Sequence, residues 1–234
     1  MSAHARLRSI TKALTTAVGV AVGTYGVYAA FTWYRYGRVK PPRRCERDEL
    51  LDRFMPAYEV VERHHIRVAA PAPVTLAAAR EQDLFRLPLV QAIFRAREIV
   101  LGATPGDRSQ PHGIRPGLLT TLQALGWGIL AEVPDRELVV GAVTRPWEPN
   151  VTFHSLSPDD FAAFSRPGFV KIAWTLRVDP IDARTSIFRT ETRAIATDAA
   201  ARARFRGYWA FASPGIALIR WLSLRPLKRE AENR

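Results

Sequence analysis

The sequence predicts an α+β fold: an antiparallel sheet covered on one face by a long C-terminal helix, with a single transmembrane helix ahead of it. Three observations carry this. Residues 13–34 contain no charged side chain. Segments 58–70, 169–178 and 185–196 alternate in polarity at the strand period. Phe205, Tyr208, Trp209, Ala212, Ile216, Ile219 and Leu222 recur at helical spacing near the end of the chain.

A helix rises about 1.5 Å per residue and a hydrocarbon core is about 30 Å thick, so the run Ala13–Tyr34 is long enough to cross once. A cleaved signal peptide would need a shorter apolar stretch and a small-x-small end. Bulky Tyr28 stands there instead, and Tyr25, Tyr28, Phe31, Trp33, Tyr34 and Tyr36 crowd that end as an interfacial belt would. A buried helix of a core is rarely uncharged on every face for this length. Arg6, Arg8 and Lys12 precede the run, and Arg35, Arg38, Lys40, Arg43 and Arg44 follow it. The larger basic flank predicts a single-pass protein of the cell membrane with a cytoplasmic body. Gly19 and Gly23 form a small-xxx-small pair that would let two helices approach as a homodimer, although glycine is common in membrane helices in any case. Cys45 is the lone cysteine, so no intrachain disulfide forms, and it reads as a small unreactive thiol near the membrane.

The net charge of +12 suggests nucleic acid until it is divided along the chain. Residues 1–47 hold nine Lys/Arg against Glu46 alone, a balance of +8, leaving +4 for the rest. The excess is juxtamembrane, where each basic residue gains about 1 kcal/mol beside anionic headgroups. No concentrated basic face remains for phosphate neutralisation, so the expected partner is membrane lipid and not nucleic acid.

The elements follow in order. Residues 1–36 form the N-terminal segment, 37–56 a basic, Pro-containing linker broken at Pro41-Pro42, and 57–234 the folded domain. In Tyr58–Ala70, Val60, Glu62, His64, Ile66 and Val68 share one face of a strand that Pro71 and Pro73 end. Val74–Leu101 carries one or two amphipathic helices broken near Leu87-Pro88. Gly102–Pro116 is loop by composition, and a short helix fits Leu118–Leu125. Trp127–Val133 and Glu137–Val143 form a hairpin across Pro134-Asp135-Arg136. Ser157-Pro158-Asp159-Asp160 opens a helical turn. Strand 169–178 puts Val170, Ile172, Trp174, Leu176 and Val178 on one face. Strand 185–196 sets Ser186, Phe188, Thr190, Thr192 and Ala194 inward and Arg189, Glu191 and Arg193 toward water. The last helix is capped by Thr197 or Asp198, runs to about Leu224, and is kinked or split at Pro214-Gly215. Trp209–Leu224 is apolar but only sixteen residues long and contains Arg220, so it is no second span.

Three stretches carry a family resemblance: ERHHIRVAAPAP at 62–73, LGWGILAEVPDRELVVGAV at 125–143 and FRGYWAFASPGIALIRWLSLRPLKREAE at 205–232. In element order and wording they resemble the START/Bet v 1-like (SRPBCC, helix-grip) superfamily over roughly residues 57–232. The resemblance implies a curved antiparallel sheet gripping the last helix around an apolar cavity. It thereby implies a binding module for a hydrophobic small molecule or lipid, and the run Ala13–Tyr34 adds the expected membrane anchor. Polyketide cyclases and aromatases share that fold and supply the enzyme alternative. A ligand-free interaction domain at the membrane is the other.

The candidate ligand-binding residues are Glu62, His64, Trp174, Phe188, Tyr208 and Trp209, all on the predicted inner faces. Glu62 and His64 would place a carboxylate beside an imidazole, which can move protons or simply satisfy itself. His112 lies in the loop and His154 at a strand end. No metal-ligand spacing, phosphate loop or nucleophile elbow is present, so no catalytic residue, metal or cofactor is assigned.

Overall fold

Alternating polarity builds the sheet, and two helical stretches flank the strands that carry it. The computed structural model describes residues 3–83, 87–102 and 117–234, leaving aside the side chains of residues 3–14, 17, 18 and 21. Before the sheet come α1 (Ala3–Arg35) and α2 (Glu49–Asp52). β1 (Val60–Val68) is followed by α3 (Ala72–Glu81), α4 (Pro88–Leu101) and α5 (Leu118–Ala124). The hairpin of β2 (Gly128–Val133) and β3 (Glu137–Thr144) leads to β4 (Phe153–His154) and α6 (Pro158–Ala163). β5 (Val170–Asp182), β6 (Thr185–Ala196) and α7 (Ala199–Glu232) complete the chain. The loop expected at Gly102–Pro116, with His112, lies outside the described residues beyond Gly102.

All pairings are antiparallel, in the order β1-β6-β5-β3-β2, with β4 on β3. The fold is therefore α+β, an antiparallel sheet with a long C-terminal helix. The hairpin turns at Asp135, whose φ of 58° a short polar side chain tolerates. Ser157 caps α6 by accepting from the Asp160 amide, and Asp198 caps α7 by accepting from Ala200 and Ala201. The even-numbered residues of β1 face α7. Val60 packs with Val170, Ala194, Phe205 and Trp209, while Val68 packs with Trp174, Leu176, Phe188, Leu224 and Leu227.

The other face of the sheet is not open to water. Leu51, Phe54 and Met55 pack with Val139, Val143, Phe161 and Ala173, so these three residues of the expected linker are core. This corrects the placement of Glu191 and Arg193, which are buried. Arg193 donates to Glu191 Oε1 at 2.7 Å, to Asp52 Oδ1 at 2.5 Å and to the Met55 carbonyl at 2.8 Å. Alternation shows which residues share a face; it is silent on whether a remote segment covers that face.

α7 also departs from expectation. It runs unbroken through Pro214 and past Leu224 through Pro226 to Glu232. A proline inside a helix costs about 3 kcal/mol. Leu227 and Ala231, both buried in the core, offset that cost through packing.

Among the described residues no helix is long and apolar enough to cross a membrane. Within the span expected at Ala13–Tyr34, the side chains of residues 13, 14, 17, 18 and 21 lie outside the description. The helix packs along α7 through Tyr25 and Trp33 instead of standing clear of the body. The Tyr25 and Phe211 rings meet edge-on at 6.1 Å, the Tyr25 hydroxyl donates to the Phe211 carbonyl, and Arg206 lies 3.4 Å over Trp33.

Candidate functional site

The strand register aligns polar side chains on the face that α7 covers. Glu62 is opposite Thr192, and Thr192 is opposite Trp174, making one row across β1, β6 and β5. One step along, His64 is opposite Thr190, and beyond it Ile66 is opposite Phe188. Among the described residues β1 pairs only with β6, so its other edge has no strand partner there. There a cleft of about 340 Å³ opens between β1 and α7, lined by Arg63, His64, His65, Ile66, Trp221, Leu224 and Arg225. Ligand sites span roughly 300–1,000 Å³, so this one suits a small occupant.

The interior beside the cleft holds charge in apolar surroundings. His64 Nε2 lies 3.7 Å from Glu62 Oε2. The guanidinium of Arg220 sits 4.5 Å over the Trp174 ring, and no ion pair engages it among the described residues. Burial pushes Arg220 down to about 10, opposed by the Glu62 carboxylate. Burial raises Glu62 above the ordinary carboxylate range, with Arg220 pulling the other way. Burial, then the charges of Arg220 and His65, lower His64, leaving a neutral imidazole near neutral pH. His64 Nε2, Thr190 Oγ1 and Ser213 Oγ are all buried with no hydrogen-bond partner among the described residues.

The structure therefore brings Glu62, His64 and Trp174 to one place, joined through Arg220. Phe188 is 2 % exposed and packs in the core. Trp209 belongs to the cluster around Val60. Tyr208 lies apart, stacked on Phe205 with its hydroxyl accepting from Arg97 Nε at 3.3 Å. Sequence reasoning missed Arg220, Thr190, Ser213 and Trp221. The available signal was Arg220 itself, the one charge inside the apolar stretch Trp209–Leu224. Among the described residues no cluster of three or more His, Cys, Asp or Glu could hold a metal ion.

No protein-family model and no curated protein matches this sequence. Two solved structures align weakly. An aromatase/cyclase from Streptomyces sp. R1128 is 14 % identical with a TM-score of 0.25, over 75 % of this chain and 94 % of its own. A hypothetical protein from Helicobacter pylori is 8 % identical with a TM-score of 0.29, over 77 % of this chain and 98 % of its own. Neither superposes well enough to transfer a residue role.

Proposed function

We propose that this chain is a membrane-associated, helix-grip binding module that holds a mostly apolar small molecule or lipid between β1 and α7. The observation that carries the reading is the set of unpaired polar atoms under α7. A buried polar atom without a partner costs about 1–3 kcal/mol. His64 Nε2 and Thr190 Oγ1, on paired positions of β1 and β6, are two such atoms, and His64 also lines the cleft. A ligand that brings a hydrogen-bonding group to them offsets that cost, while Ile66, Trp221 and Leu224 receive its apolar part.

Surface chemistry supports the membrane part. Every large hydrophobic side chain exposed among the described residues, except Val133 and Ile181, lies on α1, α4 or α7. These helices pack together: α1 meets α7 through Tyr25 and Phe211, and α4 meets it through Arg97 and Tyr208. Arg35, Arg38, Lys40, Arg43 and Arg44 follow directly, where anionic headgroups attract them. Apolar surface of this extent marks an interaction site, and the adjoining positive charge selects an anionic bilayer.

The test has two arms on the full chain. In flotation, binding to vesicles of phosphatidylglycerol and phosphatidylcholine is expected to exceed binding to phosphatidylcholine alone. Organic extracts of the purified protein, read by mass spectrometry, are expected to contain a recurrent amphiphile. No bound species, together with no change in Nile red fluorescence on adding the protein, would overturn the container reading.

A further inference from the structure

We infer that the site selects an amphiphile with an oxyanion head, a carboxylate or a phosphate, and that Arg220 is the residue that binds the head. The inference rests on the container reading above and names its ligand class.

The geometry is that of a cation with no ion pair at contact distance among the described residues, the Glu62 carboxylate acting on it from farther off. Arg220 lies on the inner face of the sheet, its guanidinium carbon 4.5 Å from the centre of the Trp174 ring, and none of its nitrogens donates to a described oxygen at hydrogen-bond distance. A guanidinium held over an indole ring without a hydrogen-bond acceptor retains its fork of donors, and that fork matches the two oxygens of a carboxylate or phosphate. Arg220 is half-buried, and an unpaired charge withdrawn even in part from water is unfavourable, so an incoming anion there gains more than it would in bulk water. Glu62 is the acid facing Arg220, and burial weakens its hold on a negative charge. His64 and Thr190 place unpaired atoms on the same inner face, one step along the strands from the row of Glu62 and Trp174. The next residue after Arg220, Trp221, lines the cleft with Leu224 and Ile66, so an apolar chain continues outward from the head. Neutral lipids and alcohols lack the charge that Arg220 requires. A cationic head would meet Arg220 itself.

The experiment uses the full chain in phosphatidylcholine nanodiscs with two photoactivatable probes, a diazirine-bearing dodecanoic acid and the matching dodecanol. Crosslinks are mapped by mass spectrometry to the peptides of β1 and α7. The acid is expected to label those peptides about tenfold more efficiently than the alcohol, the ratio one charge-assisted hydrogen bond supplies. Arg220→Gln is expected to bring the acid down to the level of the alcohol. Glu62→Gln removes the competing carboxylate and is expected to raise labelling by the acid. It also keeps the inference testable if Arg220→Gln fails to fold. Competition by unlabelled dodecanoate or by lysophosphatidate shows whether the head is a fatty-acid carboxylate or a phosphate. Equal labelling by both probes, unchanged in Glu62→Gln, overturns the anion selection and leaves the container standing. Labelling of neither β1 nor α7 by either probe overturns the container, and the inference with it.

Discussion

Replacing Arg193 with methionine tests the buried network on the side of the sheet away from α7. The side chain of Arg193 is 1 % exposed, lies 4.5 Å over the Tyr58 ring, and donates to Glu191, Asp52 and the Met55 carbonyl. Methionine keeps much of the apolar stem and removes the donors. The Met55 carbonyl is then left bare, at about 1–3 kcal/mol. Glu191 loses one charge-assisted bond of about 1.5–3 kcal/mol. It keeps its paired contacts to Arg63, at 2.9 and 3.1 Å, so it is not orphaned. Asp52 is half exposed and returns to water at little cost. The net expectation is a loss of about 3 kcal/mol, at the low end of the roughly 3–5 kcal/mol for breaking an isolated buried pair. Urea unfolding followed by tryptophan fluorescence measures it, with Asp52→Asn as the control that loses less than about 1 kcal/mol. A loss under about 1 kcal/mol for Arg193→Met would refute the view that this network holds α2 to the sheet.

Two further outcomes follow from the same face and from the turns. Glu137 sits beside buried Asp48, and burial together with the hydrogen bond to Asp48 pushes it up to about 8. Its folded-state value lies above the unfolded one, so its contribution is full below about pH 4.5 and is lost as pH rises through about 8. Glu137→Gln is therefore expected to flatten the fall in stability between those limits, seen in urea midpoints across pH; an unchanged slope would contradict the assignment. Gly126 has φ +93° and a Cβ there would meet the Phe153 carbonyl oxygen at 2.1 Å. Gly126→Ala is expected to cost about 3 kcal/mol and lower Tm by roughly 10 °C, whereas Gly207→Ala, in open helix surface, raises stability by about 0.5–1 kcal/mol.

Local pattern went a long way with this chain. Period-2 alternation placed Glu62 and His64 on the α7 face of β1 and Trp174 on the same face of β5, because side-chain direction along a strand needs no partner to define it. Turn and cap chemistry did the same for Asp135, Ser157 and Asp198, where the competing backbone conformations are decided within a few residues.

Three things were decided only in three dimensions. Arg193 and Glu191 alternate like solvent-facing residues, and they are buried because residues 49–55, far away in sequence, lie over them. α7 continues through Pro226 because Leu227 and Ala231 find core partners on other elements. Arg220 read as an interruption of an apolar stretch until the sheet placed Trp174 beneath it and Glu62 nearby. Alternation and capping are properties of neighbouring residues, so the sequence determines them alone. Burial of a charge depends on which distant surfaces meet, and that is a property of the folded chain.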